Sequence, residues 1–588
     1  MKIQNTSKEE RREFFLGLYE SALAALTDEH DAFEKHMSQY KGSNEIDGSN
    51  EPALTVRNLT YEIIESQVSS EIPFPKVDPS YHSERREANA IAIEKLAASL
   101  RDKLPFESMN DIDERYTYIY GSSVWYIEWD NAVRGGGELG GVKVHCLSPS
   151  SLVPQPGITS VEDMEYCFLR FTTTRAELIR KYGISEHEAF DAEVDFGYGS
   201  YPTDSDTVTV VLCFYRNEHG EIGQFVFSGG VTLADIPSYY RRKRSVCRVC
   251  GAAAGECECA LPIIGHDDVI YERIPKEELP ENDPRFSVRE RDGGISVPYY
   301  LPTRIPIVIR KNTSAEGELF GQSDCAFVRP QQQAINKIES RILQKLLRAG
   351  VTPIMPEDAS ITLGNSIFGQ VIRTKPGEGA DQYGKVDTTP DVSQDMKEAE
   401  RLYEQAKRVV GISDAFQGID MNSNESGYAK QLRISQANGR LESKKKMKHT
   451  AYADIDRIIF EFYLAFADEV RVLYHKDAYG RVKRSEFKRI DFIEYDEKNK
   501  RYFYDDSYLF SVDLNGGSEY QREALWQRNL ENLEAGTLGD KNQPATLLRY
   551  WQCQERAHYP YARENVEYFR AAVEKQNEEE NDQNKTKG

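Results

Sequence analysis

The sequence predicts an α+β chain, and three observations carry that prediction. Strand-like runs rich in Tyr, Val, Phe and Ile crowd the first half, among them TYIYGSSVWYIEWDN, DTVTVVLCFYRN and GQFVFSGGVTL. That composition suits a pleated, half-buried surface. From Phe327 to Asp468 the pattern changes to helix, short β-rich excursion, helix, polar loop and very long helix. Helical runs also open and close the chain, so the two kinds of element fall in blocks.

Residues 1–40 read as two helices (REFFLGLYESALAAL and HDAFEKHMSQY), followed by the polar loop KGSNEIDGSNEP. A helical segment covers Tyr61–Ser69 within NLTYEIIESQVSSEIPFPKV, and TYIYGSSVWYIEWDN follows as a strand pair. The run GGGELGG, between YIEW and VKVHC, is a hairpin loop. After the proline-bounded LSPSSLVPQPG, TRAELIRKYGI (174–184) is a short amphipathic helix, and DTVTVVLCFYRN with GQFVFSGGVTL forms a hairpin. LPTRIPIVIRKNTSAEGELFGQSDCAFVRPQQQAINKIESRI is a strand-then-helix junction.

Within residues 327–349, Ile335, Ile338, Ile342, Leu343 and Leu346–Leu347 recur near helical spacing. Pro330 suits a first turn and Gly350 a stop. Residues 351–391 hold four prolines and five glycines around short apolar runs, the mark of strands and turns. Residues 393–410 are helical again, with Ser393 as the expected N-cap. The polar loop GISDAFQGIDMNSNESG then leads into a helix from Tyr428 to about Val470, on the order of 60 Å long. Such a helix must find partners along its length. Its C-terminal half (IDRIIFEFYLAFADEV) is apolar enough for a core. Its N-terminal half carries Lys444–Lys446 and Lys448, either a solvated face or a contact for a neighbouring subunit or a polyanion. Asn438-Gly439 is the expected place for a bend. Residues 487–514 read as strands, and helices follow at 519–534, 543–556 and 560–576. The polar tail 577–588 is expected to be disordered.

Length and composition describe a globular chain of several domains, 39% hydrophobic over 588 residues. No apolar run reaches the roughly 18 residues of a membrane span. The start, MKIQNTSKEERREFF, lacks a secretion signal, so a cytoplasmic product is expected. Net charge is −22, from 96 acidic and 74 basic side chains. That balance argues against a protein built to grip DNA, whose affinity comes from neutralised phosphates. It is compatible with one that lets DNA slide.

The sharpest local chemistry is CRVCGAAAGECEC. Cys247, Cys250, Cys257 and Cys259 give C-x2-C, six residues, then C-x-C. Four thiolates at that spacing can close a tetrahedral structural zinc site, with Gly251 and Gly255 easing the turns. Arg241, Arg242, Lys243 and Arg244 upstream would favour the thiolates. A reduced cysteine-rich loop is the plainer alternative, and disulfides do not suit a cytoplasm. The other cysteines (Cys146, Cys167, Cys213, Cys325, Cys553) read as core. Asp195-Phe196-Gly197 has no kinase partners. GADQYGKV falls short of a phosphate-binding loop because Val386 stands where Ser or Thr is needed. No H-E-x-x-H or G-x-S-x-G occurs, so no catalytic residues are assigned.

Taken in order over about residues 50–575, the segments quoted above, with the loop NSNESGYAKQLR leading into the long helix, resemble the portal (head–tail connector) proteins of tailed bacteriophages and prophages. The resemblance implies a closed homo-oligomeric ring of about twelve subunits at one capsid vertex. It implies a portal-like protomer: N-terminal helices and a β-rich wing over 1–326, with the zinc-binding insertion at about 241–262, and a stem helix at 327–349. A small α/β clip at 350–392, a second stem helix at 393–411 and a tunnel loop at 412–427 follow. The long kinked helix and wing return strands span 428–515, and a helical crown 516–576. Asn422, Ser423, Asn424, Glu425 and Ser426 would then face a channel through which double-stranded DNA passes without sequence specificity. The implied partners are the terminase large subunit, the head–tail adaptor, and the major capsid and scaffolding proteins, with no membrane. The implied location is the virion, after synthesis in the bacterial host. Lys337, Arg341, Lys345 and Arg348 form a basic stripe on the first stem helix. It would face DNA or pair with acids such as Glu398, Glu400 and Glu404, and pairing is the preferred reading. The competing reading is a zinc-stapled structural adaptor, monomeric or a small oligomer, that forms no DNA conduit.

Overall fold

In the computed structural model the described residues are 7–48, 51–81, 83–135, 138–192, 207–247, 264–280, 283–286, 293–347, 351–354, 384–387, 390–412, 427–476, 482–512, 519–556, 559 and 562–587. Helix α1 (Lys8–Ala25) starts at a capping box: Ser7 Oγ accepts from the Glu10 amide, and the Ser7 amide donates to the Glu10 carboxylate. Helices α2 (Thr27–Tyr40) and α3 (Leu59–Gln67), strand β1 (Pro75–Pro79), and helices α4 (Glu84–Lys103) and α5 (Phe106–Tyr120) follow. Gly121 ends α5 in the left-handed region at φ +89° and turns the chain into β2 (Ser122–Gly135), which pairs with β3 (Glu138–Leu147). At that turn two backbones cross. A Cβ on Gly121 would collide with the Gly321 carbonyl, and a Cβ on Gly321 would lie 2.5 Å from the Gly121 oxygen.

Strands β4 (Leu152–Pro154) and β5 (Tyr166–Thr174) are followed by helices α6 (Arg175–Tyr182) and α7 (Glu186–Phe190). Strands β6 (Thr207–Arg216), β7 (Ile222–Ser228) and β8 (Val231–Ile236) then complete a five-stranded antiparallel meander. Both of its faces are covered. Phe225 stacks on Phe15 of α1 at 4.7 Å between ring centroids, and Phe214 meets Tyr126 of β2 at 6.0 Å. Hence β6 and β7 read as unbroken apolar runs rather than alternating ones. Strands β9 (Lys243–Cys247) and β10 (Ile264–Asp268) pair, as do β11 (Tyr271–Ile274) and β12 (Ile295–Pro298). Strand β13 (Ile307–Lys311) joins β2.

Helix α8 (Asp324–Leu347), the pair β14 (Val351–Ile354) and β15 (Gly384–Asp387), helix α9 (Ser393–Val410) and helix α10 (Gly427–Phe466) come next. The hairpin β16 (Arg471–Lys476) and β17 (Val482–Phe487), the hairpin β18 (Ile493–Asp496) and β19 (Arg501–Tyr504), and β20 (Tyr508–Val512) return the chain to β1. Helices α11 (Glu519–Glu534), α12 (Pro544–Arg556) and α13 (Ala562–Lys587) close it. All the described strand pairs are antiparallel, and helix and sheet are mixed as the α+β prediction requires. No helix among the described residues is long and apolar enough to cross a membrane.

The C-terminal half of α10 is the spine of the main core. Tyr452 meets Trp125 of β2 at 5.6 Å, and Phe460 meets Phe492 at 5.1 Å and Tyr508 of β20 at 5.8 Å. Two carboxylates are buried with it. Asp456 pairs with Arg101 of α4 at 2.6 Å, and Glu461 lies 3.4 Å from Arg304. Burial outweighs Arg304 and, with Asp506 nearby, pushes the Glu461 carboxyl up to about 7. The folded chain therefore binds a proton that the unfolded chain has released, so stability from this group is present at low pH and is lost as pH rises through 7. Glu461→Gln should stabilise the protein at pH 8 by on the order of 2 kcal/mol, with the gain shrinking at pH 5. Urea unfolding at the two pH values checks this, and an equal shift at both would refute it.

The structure corrects five local expectations. TYIY is not a strand but the last turn of α5, because Tyr118 and Ile119 are needed inside the core, and packing overrides their β preference. Helix α8 begins at Asp324 rather than 327, so Pro330 lies inside it. Ser323 Oγ accepts from the Cys325 amide and starts the helix earlier. Ser393 is the first residue of α9 rather than its cap, and the Asp391 carboxylate accepts from its amide at 2.9 Å. In the predicted strand FKRIDFIEY, Arg489–Phe492 is a 3-10 turn. The tail expected to be disordered continues α13 to Lys587, since Glu, Gln and Lys sustain a helix that Pro and Gly do not interrupt. Helix α10 passes Asn438 and Gly439 without a break in its helical assignment.

Candidate functional site

Helices α8 and α9 pack on each other and on α3. Leu59 and Ile63 from α3, Val328 and Ile335 from α8, and Tyr403, Ala406 and Val410 from α9 form one buried cluster, joined by Ile412. Tyr403 is held from three sides. Arg57 lies 4.2 Å and Lys407 4.5 Å from its ring centre, and its hydroxyl donates to Glu62. At the far end of the pair, Arg341 of the basic stripe bridges to Asp395 of α9 at 2.9 Å, and Lys345 pairs with the same carboxylate. Of the acids expected to meet the stripe, Glu398 pairs with Arg401 and Glu400 with Arg57. The reason is geometric: the end of α8 meets the first turn of α9, one turn before those acids. Lys337 is exposed, and Arg348 lies outside the described residues.

The start of α8 and the middle of α10 meet in a buried ion cluster. Arg310 of β13 pairs with Asp113 and, at 2.8 Å, with Glu114, both on α5. Lys448 of α10 reaches Glu114 at 3.0 Å, and Lys444, one turn earlier, reaches Asp324 at 2.7 Å. Three cations thus meet three carboxylates. Further donors finish the job: Trp125 Nε1 donates to Asp113 at 2.9 Å, the Ser69 amide to Glu114 at 3.0 Å, and Asn312 Nδ2 to Asp324 at 2.8 Å. Burial pushes the Glu114 carboxyl up, but Arg310 and Lys448 outweigh it and hold it below the usual range. Lys448 is pulled down by burial despite Glu114. Ion pairs this deep cost several kcal/mol per ion to desolvate and persist only when fully partnered, so the cluster fixes geometry more than it adds stability.

This arrangement answers the question left open for the basic half of α10. Lys444 and Lys448 are neither a solvated face nor free for a polyanion. Lys446 is exposed and pairs with Glu442 along the helix. Sequence reasoning missed Asp113, Glu114, Asp324 and Arg310. The available signals were an acid pair inside an otherwise core-facing helix and an arginine within the apolar strand IVIRK.

The tunnel-loop candidates Asn422, Ser423, Asn424, Glu425 and Ser426 lie outside the described residues, as do Cys250, Cys257 and Cys259. Cys247 is the last residue of β9 and is in register with Ile264 of β10, so the hairpin closes the base of the cysteine segment. Arg241 pairs with Glu221 and Arg242 with Asp468. No group of three or more metal-ligating side chains occurs among the described residues. Cys167, Cys213 and Cys325 are buried, as expected of core residues, and Cys146 and Cys553 are half-buried.

The profile of the phage P22-like portal protein family matches residues 159–473, from the meander through α8, α9 and α10 into β16. The chain belongs to that family. The match covers both helices of the α8–α9 pair, the segment between them and the long helix behind them, where the sequence resemblance was strongest. It favours a phage portal protein over the zinc-stapled adaptor. No curated protein matches the chain. Membership makes this portal protein a structural component of the capsid vertex, a class that acts through assembly rather than catalysis.

Proposed function

We propose that copies of this portal protein close into a ring of about twelve subunits that conducts double-stranded DNA into and out of the capsid. In this reading α8 and α9 are the stem, residues 350–392 the clip that docks terminase and later the head–tail adaptor, and 412–427 the tunnel loop. The wing lies before the stem, and α11–α13 form the crown. The observation that carries the reading is the buried ion cluster, of which Arg310, Asp324, Lys444 and Lys448 lie within the family match and Asp113 and Glu114 before it. It ties α10, through Lys444, to Asp324 at the start of α8. The first test is the assembled mass with negative-stain images of the same sample. A ring of about twelve 67.1 kDa chains with an axial hole is expected. A chain that stays monomeric with scaffolding and capsid partners present would overturn it.

In this reading Arg341 and Lys345 serve the stem through Asp395 rather than the DNA. Arg341→Glu with Lys345→Glu places three acids together at the stem end and should impair ring assembly or packaging by about tenfold or more, with a small effect on protomer unfolding. Normal rings that package normally would remove the stripe from the account. We also propose a structural zinc on Cys247, Cys250, Cys257 and Cys259, supported by the thiolate spacing and by the hairpin that closes the loop. Elemental analysis should find about one zinc per chain, lost in a Cys250→Ser, Cys257→Ser variant. A metal-free wild-type protein purified without chelator would sink it.

A further inference from the structure

A cavity of about 360 Å³ lies between the loop that follows α3, helix α5, strand β13 and helix α10. Its basic lining is Arg310 of β13 with Lys445, Lys448 and His449 of α10. Spacings of three and four residues set those three on one side of the helix. The facing side supplies Glu71 from the loop and Glu114 and Tyr118 from α5. Glu114 is already shared by Arg310 at 2.8 Å and Lys448 at 3.0 Å, and Glu71 is exposed at the rim. Donors are left over. Lys445 is exposed and forms no ion pair among the described residues. His449 Nδ1 and Arg310 Nε are buried without a hydrogen-bond partner. Such atoms are costly unless something accepts from them, and an imidazolium donates from both of its nitrogens. The field at His449 is positive as well. Burial first, then Lys448, Lys445 and Arg310, hold its imidazole below the usual range, with no carboxylate among the described residues opposing them.

The geometry points to this cavity as a binding site for a tetrahedral oxyanion of the phosphate class. Nitrogen donors come from α10 and β13, and the hydroxyls of Ser69 and Ser70 line the loop side. That spread suits four oxygens better than the two coplanar oxygens of a carboxylate. An occupant would tie the loop after α3 to α10. The site depends on neither the ring nor the conduit, and a free phosphate ion and a nucleic-acid phosphate present it with the same group. Calorimetric titration of the full chain with sulfate, at constant ionic strength, is the first measurement, because sulfate stays a dianion across the pH range used. Inorganic phosphate at about pH 8 is the second. One anion per chain is expected, bound about fivefold or more tighter at about pH 5.5 than at about pH 8. The sign follows from linkage: an anion beside His449 raises its pKa, so binding takes up a proton and strengthens as pH falls. His449→Gln should abolish that pH dependence. Lys445→Ala should weaken binding by about fivefold or more at both pH values, and Lys445→Arg should bind as the wild type does. Neither residue forms an ion pair among the described residues, and thermal melts of the variants check that they fold. Displacement of sulfate by a duplex of about 30 base pairs would make the ligand a backbone phosphate, and its retention would make it the free ion. A chain that binds neither anion, or binding that neither Lys445→Ala nor His449→Gln alters, overturns the proposal.

Discussion

Replacing Arg310 by methionine is expected to destabilise the protomer by about 3–5 kcal/mol, the usual consequence of stranding a buried charge. Arg310 is 2% exposed, and it is the cation shared by Asp113 and Glu114, which are 0% and 1% exposed. Methionine fills most of the volume, so the loss reports charge rather than cavity. Lys448 still reaches Glu114, but Asp113 keeps neutral donors alone, Trp125 and Ser123. The midpoint of urea unfolding should fall markedly. A triple variant, Arg310→Met with Asp113→Asn and Glu114→Gln, should recover part of that loss, because the charges leave together. If the single change unfolds like the wild type, the cluster is peripheral to stability.

Gly121→Ala should cost about 3 kcal/mol or more through the backbone alone. The position has φ +89°, and the added methyl meets the carbonyl of Gly321, an atom that no rotamer change can move aside. The crossing is held from both sides. The Asn312 amide donates to the Gly121 oxygen at 2.9 Å, and the Gly321 amide to Ser122 Oγ at 2.8 Å. Relief would shift the start of β2 or the approach to α8, and so disturb the joint at Asp324. As a comparison, Gly157→Ala meets nothing within 4 Å at φ +78° and should cost only the conformational penalty of about 1 kcal/mol. Thermal melts of the two variants separate these terms. Equal losses would mean that the crossing yields easily.

What the sequence revealed divides along a physical line. Helices α8, α9 and α10 were legible because their apolar positions repeat over many turns, and the β6–β7 hairpin because its strands are bounded by turn residues. The end of α5 was misread because Tyr, Thr and Ile prefer strands locally, and the reason for their helical state lies in distant packing. The partners of Lys444 and Lys448 stayed open for the same reason. Their counterions sit on other elements, Asp324 being 120 residues away, and no local pattern announces a pairing of that range. Of the proposed stem stripe, Lys337, Arg341 and Lys345 fall on the described part of α8, and the partner Asp395 depended on a helix-end alignment that spacing alone does not provide.

The two sets of ion pairs along α8 differ in one further respect, their response to counterions. The Arg341–Asp395 bridge leaves the arginine side chain 63% exposed, whereas Lys444 and Asp324 are 11% and 2% exposed. Mobile ions screen the first within about 8 Å at physiological ionic strength and scarcely reach the second. A rise in ionic strength around the particle would therefore loosen the outer end of the α8–α9 pair while leaving its base clamped. Seen this way, the pair behaves like a lever with a salt-proof fulcrum, and any give that the medium introduces is confined to the end farthest from α10.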